Sequence, residues 1–437
     1  MQNLTKQLKI IVIKTIGFLT LNLYLIPISR KYPKIHVPIN KLNSILTISE
    51  IDKKGGAAKV GYIIHKSLLK ERLDTNILVN MVTEPENNII VLKQRNDRLA
   101  RLLNIYSERY QWFDFFKLAS FNILEIDEFK RADIVHMHNI HLNYFSKFVL
   151  PKLTAQKRTI WTLHDSLDLF EDYPDKESDT GEIDFYKQLS QKQRRNLRRS
   201  SERIVNNSYL TIVTPSRWLY NKAKKGIFKN TDIRLIHNGV DEKIFKPYNK
   251  IEVRKELNLP VNKILLLFSA AWGLTAGTKD SGNTILKMYE HLKNNDDVVF
   301  IILGGAEKDF NDEKSIVIPY ISDQILLAKY YSAADLFIYP SLWDNLPLAV
   351  IENMATGTPV LTYNTGGIPE LVKHMGTGYI AKYNDTQDFM KGLDLFISDV
   401  NLRDSASERS IQIFLQDFTQ TKMVNDYFSL YNELIQK

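Results

Sequence analysis

Apolar residues along this chain gather into short runs, most of them closed by Gly, Pro, Asp, Asn or Ser, with longer stretches of helical spacing between them. Residues 44–49 (SILTIS), 76–82, 89–92, the run ending in 132–139, 159–163, 211–214 and 234–236 form one series. Residues 264–268, 298–303, 315–318, 336–339, 360–362 and 379–380 form a second. Short continuous apolar runs suit strands buried on both faces, and their alternation with helices predicts parallel sheets covered by helices. The expected fold class is α/β, with two doubly wound, Rossmann-like domains. The expected boundaries are a hydrophobic extension over 1–40, a first domain over 41–236, a second over 237–406, and C-terminal helices over 407–437. In the tail, Met423, Val424, Tyr427, Phe428, Tyr431 and Leu434 make an apolar stripe at helical spacing, which reads as core packing.

The pattern is sharpest over 335–372, DLFIYPSLWDNLPLAVIENMATGTPVLTYNTGGIPELV. It predicts a strand over 336–339, a loop holding Asp344, a helix from Pro347 to Met354 or Ala355 ended by Gly357, and a second strand from Val360. A Gly366-Gly367 turn then opens another helix at Ile368-Pro369-Glu370. Two helix N-termini are thereby expected at one carboxyl edge, where backbone N–H groups favour an anion such as a diphosphate. Asp344 and Glu352 are the carboxylates of this unit. On spacing alone they read either as ligand-binding groups or as a loop cap and a solvated helix residue.

Upstream, Gly55-Gly56 stands between the first strand and its helix, where glycine allows close backbone approach to a phosphate or simply a tight turn. His136 and His138 alternate along one strand and so share a face. They read as partly buried polar residues, since metal binding needs a third ligand that the sequence does not place. Residues 165–184 are acidic and predict a long loop, while 191–199 (QKQRRNLRR) is a basic helical run that is either a solvated face or a contact for anionic lipid.

The absence of cysteine removes disulfides, thiol nucleophiles and cysteine metal sites, and fits a reducing cytoplasm. A net charge of +8 suits anionic partners such as nucleotide-sugars, lipid phosphates or an acidic membrane surface. Nucleic acid is not expected, because no module interleaving basic and aromatic residues is present. Residues 8–28 are the most hydrophobic stretch, but Lys14, Asn22 and Pro27 interrupt it and no cleavage site follows. It reads as an interfacial anchor or a helix packed on the body rather than a span.

PSLWDNLPLAVIENMATGTPV followed by GGIPELV resembles the donor-site signature of the retaining glycosyltransferases of family 4, which have the GT-B fold. The resemblance covers about residues 44–400. It implies that Asp344 and Glu352 flank a nucleotide-sugar, with Glu352 on the ribose and Asn345 and Leu346 beside the donor. The family usually has Glu where this chain has Asp344. Gly55 and Gly56 resemble the family's glycine loop, which faces the acceptor and the diphosphate. His138 would lie beside the reacting sugar, and His164 and Asp165 (WTLHD) would line the acceptor pocket. His237-Asn238-Gly239-Val240-Asp241 resembles the crossover between domains, and the last helix would cross back to the first domain. Lys279 matches the lysine of the family's basic pair on the diphosphate, but Leu274-Thr275 stands where its arginine belongs. Gly304-Gly305 would admit the base, bracketed by Tyr320-Ile321.

The function implied is retaining transfer of a hexose from a nucleotide-sugar to a saccharide or lipid-linked saccharide in cell-surface polysaccharide synthesis. No metal and no cofactor is expected, the nucleotide-sugar being co-substrate, and the setting is cytoplasmic, peripheral on the inner membrane face. The rival readings are an inverting GT-B transferase or nucleotide-sugar epimerase, and a non-catalytic scaffold that binds without turnover.

Overall fold

Each of these apolar runs becomes a strand, and among the described residues every pairing between strands is parallel. The first sheet contains β1 (Ser44–Ile51), β2 (Asp74–Met81), β3 (Ile89–Val91), β4 (Ile134–His138), β5 (Arg158–Thr162), β6 (Leu210–Thr214) and β7 (Asp232–Leu235), in the order β3-β2-β1-β4-β5-β6-β7. The second contains β8 (Ile264–Ser269), β9 (Val298–Leu303), β10 (Ser315–Ile318), β11 (Leu336–Tyr339), β12 (Val360–Tyr363) and β13 (Gly378–Ala381), in the order β10-β9-β8-β11-β12-β13. This computed structural model describes residues 30–93, 98–110, 112, 114–141, 144–169, 190–269, 282–304 and 313–437. The expected anchor at 8–28 and most of the acidic loop at 165–184 lie outside them. Among the described residues no helix is long and apolar enough to cross a membrane.

Strand order reverses direction twice, between β1 and β4 and between β8 and β11. At such a reversal the crossovers leave to opposite faces, opening a crevice at the carboxyl ends where ligands bind. Side-chain alternation fills both faces of each sheet. In the first, Leu46, Val135, Trp161 and Ile212 pack on one side, and Ile45, Ile134, Ile160 and Val213 on the other. In the second, Leu266, Phe300, Ile338 and Leu361 oppose Leu265, Ile301, Phe337 and Val360.

The chain crosses between the sheets twice, side by side. Val240 N–H donates to Phe418 O at 3.1 Å and Gln420 N–H to Val240 O at 2.8 Å. A side chain at Gly239 would place its Cβ 2.2 Å from Thr419 O, so only glycine lets the two crossings touch. The helix Val400–Asp417 runs unbroken through residue 406, so the expected boundary there falls inside a helix, and the chain returns at Phe418–Gln420, at the start of the last helix.

After that crossing the C-terminal helix Gln420–Gln436 lays its expected stripe against the first sheet. Met423, Tyr427, Tyr431 and Leu434 join Ile45, Val60, Ile134 and Val213 in one core. Its buried polar atoms are matched: the Tyr431 hydroxyl meets His136 Nδ1 at 2.8 Å, and the Tyr427 hydroxyl meets Thr162 Oγ1 at 3.0 Å. The carbonyls at the helix end, left over by the helical pattern, accept from Arg158, whose Nε donates to Leu434 O at 2.6 Å. Tyr427→Ala should therefore destabilise the protein by about 3 to 5 kcal/mol, read from denaturant unfolding monitored by tryptophan fluorescence.

Candidate active site

The second reversal builds one wall of the interdomain cleft. After β11 the chain turns at Pro340 and Ser341, and the Asp344 carboxylate accepts from the Tyr339 hydroxyl at 2.5 Å and from Asn345 N–H at 3.0 Å. Burial, with the Asp344 charge beside it, holds the Tyr339 phenol well above its usual range, so it remains a donor. Gly366 and Gly367 are required by close approach to this loop. A Cβ at Gly366, whose φ is 53°, would lie 1.6 Å from Asp344 O, and one at Gly367 would lie 2.2 Å from Asn345 O. The second helix of this unit is a single turn, Ile368–Leu371, and its first N–H and that of its cap are already bonded. Gly367 N–H donates to Asn345 O and Ile368 N–H to Thr365 O. The expected second helix terminus is thus a buttress for the Asp344 loop rather than an anion site.

Glu352 lies on the helix Leu348–Ala355, which Pro347 starts and Gly357, at φ 78°, ends. It is 4% exposed, so the solvated-residue reading fails. One carboxylate oxygen takes the Lys59 Nζ of the first domain at 2.6 Å, and the other takes the Tyr331 hydroxyl at 3.3 Å. A buried carboxylate needs such partners, since an unpaired charge there is strongly destabilising. Lys59 is in the first turn of the helix Gly56–Lys70 that follows β1. The pair therefore spans the cleft and joins the two reversal points.

The first domain supplies the facing wall. Gly55 has φ 95° and ψ 158°, a conformation natural to glycine alone, and a Cβ on Gly55 or Gly56 would meet nothing within 4 Å. The turn is thus open toward the cleft. His136 and His138 share a face as expected, their ring centroids 4.1 Å apart. His138 has no exposed surface, however. Its Nδ1 meets His164 Nε2 at 2.9 Å, while its Nε2 is buried without a partner beside Gly61. His138 thus shows no surface to the cleft in this structure and reaches it only through His164. Asp165 accepts from His141 Nε2 at 2.9 Å and from Leu167 N–H at 3.0 Å. Burial pushes its carboxyl upward, but the His141 charge and hydrogen bond outweigh this and hold it low.

Asn345 and Leu346 do not present side chains to a donor. Leu346 is buried in the core. Asn345 is a strut between domains, its Nδ2 donating to His164 O at 3.0 Å and its Oδ1 accepting from Ser216 Oγ at 2.5 Å. Glu370 makes a second strut, capping a helix of the other domain by accepting from Arg217 N–H at 2.8 Å and Trp218 N–H at 2.9 Å. Gly304 has φ 97° at the end of β9, and Tyr320 beyond β10 is 73% exposed. Lys279, Leu274-Thr275 and Gly305 lie outside the described residues. Sequence reasoning missed Lys59, Tyr331, Ser216, His141 and the capping role of Glu370. Lys59 alone carried a signal, being the first cation after the glycine pair and one turn into the helix.

Gly366→Ala should abolish ligand-induced thermal stabilisation while secondary structure measured by circular dichroism stays near wild type. The buried histidines fix a pH dependence. Burial depresses His136 to about 3 and His164 to about 4, below the ordinary value near 6.5 that the unfolded chain shows. Between these limits the unfolded state binds more protons, so stability is full above about pH 6.5 and is lost as pH falls toward the folded values. Unfolding free energy should drop by about 1.4 kcal/mol per pH unit for each such histidine across that window, measured by urea titration at stepped pH.

Two family models match the chain, "Glycosyltransferase Family 4" over residues 54–243 and "Glycosyl transferases group 1" over residues 249–413. Among curated relatives, N-acetyl-alpha-D-glucosaminyl L-malate synthase of Bacillus anthracis is 21% identical over 231 residues, covering 51% of this chain and 60% of that protein. The UDP-Gal:alpha-D-GlcNAc-diphosphoundecaprenol alpha-1,3-galactosyltransferase of Escherichia coli is 26% identical over 216 residues, 46% of this chain and 54% of that one. The matched stretch thus spans little more than half the length of these relatives. Among solved structures, sucrose-phosphate synthase from Thermosynechococcus elongatus superposes with a TM-score of 0.66 at 17% identity, over 90% of this chain and 99% of the other. That likeness extends the paired-sheet fold to nearly the whole molecule. By its two matched models and its GT-B architecture, the chain belongs to the glycosyltransferases of the group 1 and family 4 type.

Proposed function

We propose that the protein transfers a hexosyl unit from a nucleotide-sugar to a saccharide or lipid-linked saccharide, with retention at the anomeric carbon, in the building of a cell-surface polysaccharide. The observation that carries this reading is the convergence of two carboxyl-edge crevices, joined by the Lys59–Glu352 pair, with open glycine backbone on one wall and a braced acidic loop on the other. The galactosyltransferase relative, by its name, acts from UDP-galactose onto a diphosphoundecaprenol-linked sugar, and this supports the donor and the acceptor class.

In this scheme Glu352 accepts the ribose hydroxyls, and Asp344 with the backbone around Asn345 and Leu346 meets the sugar. Gly304 and Tyr320 frame the base. The acceptor oxygen bonds to the anomeric carbon as the bond to the diphosphate breaks on the same face. A leaving phosphate oxygen takes the acceptor proton, so the products are a glycoside and a nucleoside diphosphate. Lys279 and the Gly55-Gly56 amides stabilise the charge that grows on the diphosphate, where preorganised donors act most strongly. His164, held by His138, orients acceptor hydroxyls, and Asp165 with His141 fixes the rim. No metal ion and no cofactor takes part. The exposed Lys192, Arg195 and Arg199 of the helix Gln191–Asn206, together with residues 8–28, support a peripheral position on an anionic cytoplasmic membrane face.

Thermal stabilisation by UDP-, GDP- and ADP-sugars tests the donor half. One nucleotide class should stabilise wild type by about 2.7 kcal/mol at a hundredfold excess over its Kd, and Glu352→Ala should lose it. Transfer to lipid-linked acceptors, with anomeric configuration read by NMR, tests the rest. Binding without turnover on any acceptor would favour a scaffold, and donor rearrangement without acceptor an epimerase.

A further inference from the structure

Lys59 is the cation in contact with Glu352, and the donor scheme leaves it without a part. It lies one turn into its helix, its N–H bonded to Gly55 O at 2.9 Å, so Gly55, Gly56 and Lys59 share one helix face. Side chains on a helix lean toward its N-terminus, so the Lys59 stem leaves its backbone on the side of the glycine pair. From there its ammonium enters the second domain, 2.6 Å from Glu352 and 5.5 Å from the centre of the Phe245 ring. Phe245 is fully buried beside Tyr331, so this end of the lysine sits among second-domain groups.

Glu352 has two oxygens, one held by Lys59 and one by Tyr331. A ribose diol accepted by this carboxylate competes directly with the ammonium. A nucleotide that brings the diol also brings its diphosphate, one ribose away and within the swing of a lysine stem. The displaced cation thus meets a doubly charged anion in front of the glycine turn, and charge-assisted bonds to phosphate are among the strong ones. We propose that Lys59 is a transferable donor-binding cation: it pairs with Glu352 across the cleft, and passes to the nucleotide's diphosphate as the ribose takes the carboxylate. This rests on the donor site proposed above. It gives the first domain a charged hold on the leaving group, and it makes the ribose site selective for ligands that carry phosphate.

The test compares UDP, GDP and ADP with uridine, guanosine and adenosine on wild type, Lys59→Met, Lys59→Arg and Glu352→Gln. Affinities are measured by calorimetry or competition. Lys59→Met keeps the stem against Phe245 and removes the charge. The nucleoside diphosphate that binds wild type should lose about tenfold or more in Lys59→Met. The matching nucleoside should bind as well as before or tighter, because its competitor for Glu352 is gone. Retained nucleoside binding also shows that the variant is folded, and Lys59→Arg should recover most of the diphosphate affinity. A loss of both ligands alike, or of neither, overturns the proposal and leaves Lys59 as a strut between domains. If no ligand binds wild type, or Glu352→Gln leaves nucleoside affinity unchanged, the donor site itself is wrong and the proposal falls with it.

Discussion

Parallel pairing is the constraint from which the rest follows. A parallel strand cannot return by a tight turn, so every connection crosses a sheet face and both faces become core. Backbone able to meet a ligand is then confined to the strand ends. Two sheets, each with one reversal of strand order, offer two crevices, and the paired crossings at Val240 and Phe418–Gln420 set them face to face. Glycines in this protein mark where that geometry is tightest, at Gly239 between the crossings and at Gly366-Gly367 under the Asp344 loop.

The strands were legible because burial on both faces writes the same short apolar run each time. β9, β10 and β11 match their runs residue for residue, and the helix holding Glu352 starts and stops at the Pro and Gly that predict it. The C-terminal stripe was legible for the same reason, since Tyr427 and Tyr431 recur at the helical period. The expected boundary at 406 had no such signal, because the helix Val400–Asp417 runs through it with no Gly or Pro to stop it.

Site chemistry was legible only in part. The resemblance points to Asp344 and Glu352 but not to what neutralises Glu352, because Lys59 is 293 residues away in sequence. Alternation puts His138 on the side of His136 but does not reveal that His164, from the next strand's end, stacks on it. The resemblance put Asn345 beside the donor. Its bonds to His164 and Ser216 depend on how the domains meet, which no local pattern encodes.

The two kinds of contact between the halves of this molecule differ in what water can replace. Along the cleft the contacts are Lys59–Glu352, Asn345 with Ser216 and His164, and Glu370 on the amides of Arg217 and Trp218. Each of these is a polar contact, which water can replace only where the cleft admits it. Behind them, Met423, Tyr427 and Tyr431 are sealed against the first sheet in a dry core that solvent cannot enter cheaply. The molecule is therefore built like a book with a glued spine and unglued page edges. Its C-terminal helix belongs by packing to the first domain, and the backbone that joins it to the second is the doubled strand at Gly239 and Thr419, where the two crossings are bonded side by side.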